Sequence, residues 1–493
     1  MTEIVARTRH GRVRGTQTPF GLRFLGIPYA APPAAAGRYA APAPHEPWDG
    51  IRDATRYGAT ALQPDRGVTI IPEPLVPGDN CLNLNVFTPA LGAAGLPVLV
   101  WIHGGGFIGG GNASPWYAGT SFNRDGVVVV SINYRLGAEG FLRLPDAPAN
   151  RAVLDWIAAL EWVQENIAAF GGDPSRVTIA GQSAGGMAGA TLLGAPGARD
   201  LFRAVACLSG SVPLGPSLEQ AGQVARSLAG ELGVELTRDA FEQVDDAALL
   251  SAQQAVMNSR PPGENAAALA AALAAPGLPF APVVDGEVVA QSVLDAVAAP
   301  ANKRIALLAG VTANEFGMML RDAGWVTRDA LVSALGTLTG QDDAKIGSYL
   351  GRHPGRTPAE IVGQVITDRT FRLPMHELLA AATAGFGYEF RWAPDSGPFA
   401  GLSVHCLDLP FVFDLLSADG VAEVAGTAPP QPLADALHRA VTSFVKDLTP
   451  GWARYEPDSR LTMIFGEDGQ PGSRLEPDPL AFERSMWAGR WPS

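Results

Sequence analysis

Cysteine is scarce in this chain and histidine nearly so. The three cysteines, Cys81, Cys207 and Cys406, are odd in number and far apart, which excludes a disulfide framework and a C-x-x-C metal pair and points to reduced thiols. The seven histidines are scattered and form no H-E-x-x-H or H-x-E pattern, so no metal is expected and no cofactor is implied. A basic excess is missing too. The 36 Lys and Arg stand against 49 Asp and Glu, a formal charge of -13, which argues against a nucleic-acid surface. The opening MTEIVARTRHGRVRG has no apolar core of signal-peptide length, so a cytoplasmic protein is the expectation. The alanine-rich run from Ala266 to Val284 is interrupted by Pro276, Gly277, Pro279 and Pro282; it would make a poor membrane span and reads as a surface helix followed by a loop.

What is present alternates between strand and helix. PVLVWI from Pro97, and GVVVVSINY after it, are apolar runs of the kind buried on both faces of a parallel sheet. Between Ala152 and Phe170, Val153, Ile157, Leu160, Val163 and Ile167 recur at three- and four-residue steps, one apolar stripe along a helix. An Asp173-Pro174 turn then feeds the short strand VTIA, and further strands are expected at Ala204 to Leu208, Arg304 to Leu308 and Tyr388 to Trp392. A length prior of about 150 residues per domain gives roughly three domains, but this order reads as one large α/β unit over 1–493, a doubly wound sheet. Segments 217–276 and 326–371 read as helical insertions that roof a site and shape its pocket.

Chemistry is carried by GQSAGG, at the end of VTIA and before the helical MAGATLLGA. A serine at a sharp strand-to-helix turn presents its hydroxyl at the sheet edge with a helix N-terminus behind it. Ser183 is therefore the candidate nucleophile, with Gly181 and Gly185 giving the turn room. A serine hydroxyl also needs a base, an acid that orients the base, and donors for an oxyanion. The run His103-Gly104-Gly105-Gly106-Phe107, which follows a strand, offers backbone N–H groups for the last, with His103 supporting the turn. His405 in GLSVHCLDLPFVF is the base of choice, lying in a loop after a strand. Glu315, in VTANEFG just past the strand RIALLAG, is the acid, with Asp285 in PVVDG as its rival. The order Ser183, Glu315, His405 is that of α/β-hydrolases.

These residues, with FLGIPYAAPP, LNVFTP, WIHGGGF, NYRLGAEGFL, FGGDPSRVTIAGQSAGG, GVTANEFG, HCLDLPFVF and WARYEPDSRLTMIF in that order, resemble the type-B carboxylesterase and lipase family over nearly the whole chain. The resemblance implies an α/β-hydrolase fold and a triad of Ser183, Glu315 and His405. It also implies an oxyanion hole made by the N–H groups of Gly105, Gly106 and Ala184, and a supporting hydrogen bond from Ser209 in CLSGS. Three positions depart from the family. Cys81 is kept, but its usual partner position holds Ala61, so no disulfide closes that loop. The loop from Leu62 to Asn80 has no aromatic residue, where cholinesterases place a tryptophan to hold a quaternary ammonium. The family's common glutamate before the serine is the neutral Gln182.

The expectation is thus a bacterial serine carboxylesterase that takes small uncharged esters through an acyl-enzyme, with no membrane span. Its rivals are an amidase or carbamate hydrolase on the same triad, and a non-catalytic binding member of the fold.

Overall fold

A computed structural model describes residues 4–212, 215–258, 264–274, 277–317, 323–467 and 469–487. Its main sheet has eleven strands: β1 (Thr16–Thr18), β2 (Gly21–Pro28), β3 (Asn83–Thr88), β4 (Leu96–Ile102), β5 (Val128–Ile132), β6 (Gly172–Gln182), β7 (Ala204–Leu208), β8 (Ala306–Thr312), β9 (Gly385–Phe390), β10 (Thr462–Glu467) and β11 (Gln470–Glu476). Across the sheet they run β11-β10-β9-β8-β7-β6-β4-β5-β3-β2-β1. From β5 to β10 every neighbouring pair is parallel, and the outer strands are antiparallel. A separate small sheet joins Val5–Arg7, Arg12–Arg14 and Ile51–Asp53.

The parallel strands are apolar throughout because each of their faces meets a different core. Val98, Val100, Ile102, Val128, Val130, Ile132, Val177 and Ile179 belong to one cluster. The residues between them, Leu99, Trp101 and Val129, join Ala180, Ala206 and Leu208 in the other. A side chain that alternates along the strand has no wet face to point to, so the hydrophobic alternation of a half-exposed strand is absent. The α/β-hydrolase architecture follows, a mixed sheet covered by helices on both faces.

Helix α1 (Arg151–Asn166), continued by a 3-10 turn at Ile167–Phe170, joins β5 to β6 and ends at Gly171, φ 85°. The Asp173-Pro174 segment, expected as a turn, lies inside β6. Gly172 pairs with Leu96 and Val177 with Val98, so the extra residues are taken up as a bulge, and Asp173 accepts hydrogen bonds from the backbone N–H and hydroxyl of Ser175. Strands β8 and β9 are also displaced from their expected bounds, because strand ends depend on pairing partners that composition does not reveal. The run after Ala266 forms the helix Ala266–Ala274, and it is more than a surface helix: Leu269, Ala270 and Leu273 are buried against Leu331, Ala334 and Leu335. Of the segment 217–276, residues 259–263 and 275–276, Pro276 included, lie outside the described residues. Helices Leu218–Leu232, Arg238–Glu242 and Asp246–Asn258 occupy the rest. Between β8 and β9 stand Arg328–Thr339, Asp343–Gly351 and Pro358–Thr367, then one π-helical turn at Asp368–Arg372, then Leu373–Ala381. Among the described residues no helix is long and apolar enough to cross a membrane.

Strand order reverses at β4, from which the chain goes to β5 on one side and to β6 on the other. Loops leaving the carboxyl ends of β4 and β6 therefore face a common crevice, and those are the loops that carry the glycine run and Ser183.

Candidate active site

β6 ends at Gln182, and helix α2 (Ala184–Leu192) starts two residues later. Ser183 makes the whole turn, at φ 57° and ψ -124°, a backbone conformation that costs a non-glycine residue on the order of 1–3 kcal/mol. It is held there by Ser183 N–H donating to Leu208 O at 2.8 Å and by Met187 N–H donating to Ser183 O at 3.0 Å. Glycine on either side is obligatory for packing. A Cβ on Gly185 would sit 1.9 Å from Ile102 O, and one on Gly181 would sit 2.3 Å from the carbonyl carbon of Gly185.

The glycine loop after β4 lies against this turn. A Cβ on Gly104 would be 2.8 Å from both Gln182 oxygens and 3.2 Å from Ser183 Cβ. Gly105 and Gly106 take φ 107° and 64°, and the N–H groups of Gly105, Gly106 and Ala184 donate to no described residue. His103 braces the loop. Its ring stacks on Tyr134 with centroids 4.5 Å apart, its Nδ1 lies 2.8 Å from Gly104 O, and burial pulls its pKa down to about 4, so it is neutral. From the opposite side the Gln63 amide both donates to Gly110 O and accepts from Gly110 N–H at 2.8 Å.

The loops after β8 and β9 are laced together. Ala313 N–H donates to Phe390 O and Asn314 N–H to Ser403 O, while Ser403 N–H returns to Asn314 Oδ1 and His405 N–H donates to Glu315 O. The result brings His405 Nδ1 to 2.5 Å from Glu315 Oε2. Thr312 N–H fills the other carboxylate oxygen at 2.8 Å, and Glu315 is 2 % exposed. The far ring nitrogen of His405, Nε2, lies 3.0 Å from Gln182 Nε2. Phe316 and Phe371 each stand 5.2 Å from the imidazole, ring centroid to ring centroid. Burial disfavours the charged imidazole, but the Glu315 carboxylate on Nδ1 prevails and raises its pKa above the ordinary 6.5.

Ser183, His405, Glu315, Gly105, Gly106, Ala184 and Gln182 are therefore assembled at the carboxyl ends of β4, β6, β8 and β9. Asp285 is not among them: it accepts from Glu287 and Val289 N–H and from the Asn150 amide, closing a turn. Ser209 corrects an expectation. Its hydroxyl is buried with no hydrogen-bond partner among the described residues, and its N–H donates to Gly310 O. Phe371 was not singled out in the sequence, where it is the last residue of the segment 326–371, expected only as helix that shapes the pocket. The π-turn that aims it has no local signature. Cys81, Cys207 and Cys406 are all unpaired and buried.

A model of the Carboxylesterase family matches residues 2–460. The chain is 33% identical to a para-nitrobenzyl esterase of Bacillus subtilis, covering 98% of each chain. It is 30% identical to a phenmedipham hydrolase of Pseudarthrobacter oxydans, covering 96% of this chain and 97% of that one. Among solved structures it resembles a thermophilic PNB esterase with a TM-score of 0.84 at 31% identity, over 99% of this chain and 100% of that one.

Proposed function

The chain belongs to the Carboxylesterase family and is a carboxylic ester hydrolase, and on that premise we propose that Ser183, His405 and Glu315 form its triad and that its substrates are uncharged esters. The observation that carries this reading is the 2.5 Å contact between His405 Nδ1 and the buried Glu315 carboxylate, at the same crevice as the strained Ser183 turn.

A carboxylate on Nδ1–H fixes the tautomer whose Nε2 lone pair accepts a proton. His405 takes the Ser183 proton as Oγ attacks the ester carbonyl, and Glu315 stabilises the imidazolium. The N–H groups of Gly105, Gly106 and Ala184, which have no partner among the described residues, receive the oxyanion. His405 then gives its proton to the leaving alcohol. Water, deprotonated by the same nitrogen, attacks the acyl-enzyme and frees Ser183 with its proton restored.

The preference for uncharged esters rests on Leu62 to Asn80, which presents the guanidinium of Arg66 to Gly109, and not an aromatic face. Helices within 217–276 and 326–371 supply the walls that choose the acyl group. The test is a rapid-mixing experiment with a p-nitrophenyl ester: a burst of p-nitrophenol equal to the enzyme concentration is expected from the unaltered protein and none from Ser183→Ala. A burst that survives in Ser183→Ala would refute the assignment.

A further inference from the structure

In the resting site the lone pair that must receive the serine proton is already engaged. Glu315 holds Nδ1–H of His405 at 2.5 Å, which leaves Nε2 as an acceptor. The group 3.0 Å from it is the Gln182 amide nitrogen, not the Ser183 hydroxyl. With the ring neutral, that orientation of the amide is the one with a hydrogen to share: a carbonyl oxygen facing a bare Nε2 would set two acceptors against each other. Gln182 is 1 % exposed, and its own Oε1 is buried with no hydrogen-bond partner among the described residues, so the amide forgoes one satisfied bond while its nitrogen caps the imidazole. Gly104 fixes the arrangement from the other side, because it lies so close that a Cβ there would meet Oε1 at 2.8 Å.

We propose that Gln182 is a positioning residue that caps Nε2 of His405 whenever the ring is deprotonated, holding it in the base-ready tautomer until substrate brings the Ser183 hydroxyl into line. This rests on His405 being the base. The two hydrogen bonds on the ring then act with opposite sign. Glu315 favours the imidazolium and raises the pKa, whereas an N–H donated to Nε2 favours the neutral ring and lowers it. The other groups around the ring are Cys406, whose thiol burial pushes up and keeps protonated, and Asp408, raised to about 6 by burial and bonded to the Tyr388 hydroxyl. Phe316 and Phe371 add no charge. Gln182 is the neutral counterweight to Glu315. An amide suits this place because, when His405 becomes an imidazolium, rotation of the side chain offers Oε1 to the new Nε2–H. A carboxylate could serve only the charged ring.

The readout is the acidic limb of kcat/KM against pH, which reports protonation of the free-enzyme base. Gln182→Glu puts a negative charge where the amide stands, and the limb is expected to move up by about one to three units. Gln182→Met removes the donor without adding charge, and a smaller upward shift is expected. A merely structural role for Gln182 would lower the rate across the range and leave the limb in place. Should either variant fold poorly, the unaltered protein can be labelled with 15N-imidazole and observed at a pH above its acidic limb: there the signal that vanishes in His405→Ala should be neutral, protonated on Nδ1, with Nε2 shifted as an acceptor. Limbs that coincide in all three proteins, or a downward shift in Gln182→Met, would overturn the proposal. Activity retained in His405→Ala would instead overturn the base assignment on which it stands.

Discussion

At the residue scale, members of a triad act as a unit, so if Ser183, His405 and Glu315 are one, as proposed, Ser183→Ala and His405→Ala should each cost on the order of a millionfold in turnover, the remainder coming from binding and oxyanion stabilisation. Glu315→Gln should lose most of the activity and Asp285→Asn little, since Asp285 closes a turn away from the imidazole. The reverse ranking, measured as kcat/KM on one p-nitrophenyl ester, would transfer the role of acid. pH dependence follows from the direction of the His405 shift. Only the neutral ring accepts a proton, so the rate falls as pH drops through its pKa, and because that pKa is raised the half-maximal point should lie above 6.5. A limb below that value would contradict the geometry of the pair. The placing of Ser183, Glu315 and His405 just past successive strands was legible in advance because each stands after an apolar run in chain order. The direction of the Ser209 hydroxyl was not, because it depends on neighbours brought together only by the fold.

At the element scale, the glycine loop separates two kinds of constraint. Gly105 combines φ 107° with a site where a Cβ would lie 2.0 Å from Gly109 O, whereas Gly106, at φ 64°, would meet nothing nearer than 3.8 Å. Gly105→Ala should therefore distort the loop and collapse kcat, while Gly106→Ala, which adds strain of about 1–2 kcal/mol for the left-handed backbone, should lose much less. Equal losses would mean that contact does not decide the loop's shape. The π-turn at Asp368–Arg372 is the element that sequence concealed. Its Arg372 and Asp368 pair at 2.7 Å, the Gln364 amide donates to Asp368 at 3.0 Å, and Gln364 also accepts from Asn314 beside the acid. This network positions Phe371, 3 % exposed, against the imidazole. Phe371→Ala should lower stability by about 3–5 kcal/mol, read from denaturant midpoints, and reduce kcat more than it raises KM.

For the whole molecule, the order of the parallel strands and the reversal at β4 decide where chemistry happens; the alternation of apolar strands with helices was enough to anticipate a doubly wound sheet, but neither the order of its strands nor the place of the reversal. Strand limits and the bulge in β6 were not legible, since they are set by pairing between distant segments. Charge acts at this scale too. The net -13 draws cations to the protein, but that attraction is screened within about 10 Å at 0.1 M salt and raises encounter, not discrimination. With no aromatic face in Leu62 to Asn80, a choline ester forgoes cation–π attraction of about 0.5–2 kcal/mol. A neutral isostere of equal leaving-group reactivity should be preferred in kcat/KM. A tenfold preference for the choline ester, about 1.4 kcal/mol, would reveal a cation site elsewhere, with Trp325 the first residue to replace.

The central claim is that one serine, held in a strained turn between β6 and α2, is the nucleophile. Titration with a phosphonate ester followed by peptide mass spectrometry tests it most directly. One phosphonyl group per chain on Ser183, with activity falling in proportion to its incorporation, is the predicted result. Stoichiometric labelling at any other residue, or full activity with Ser183 modified, would contradict it.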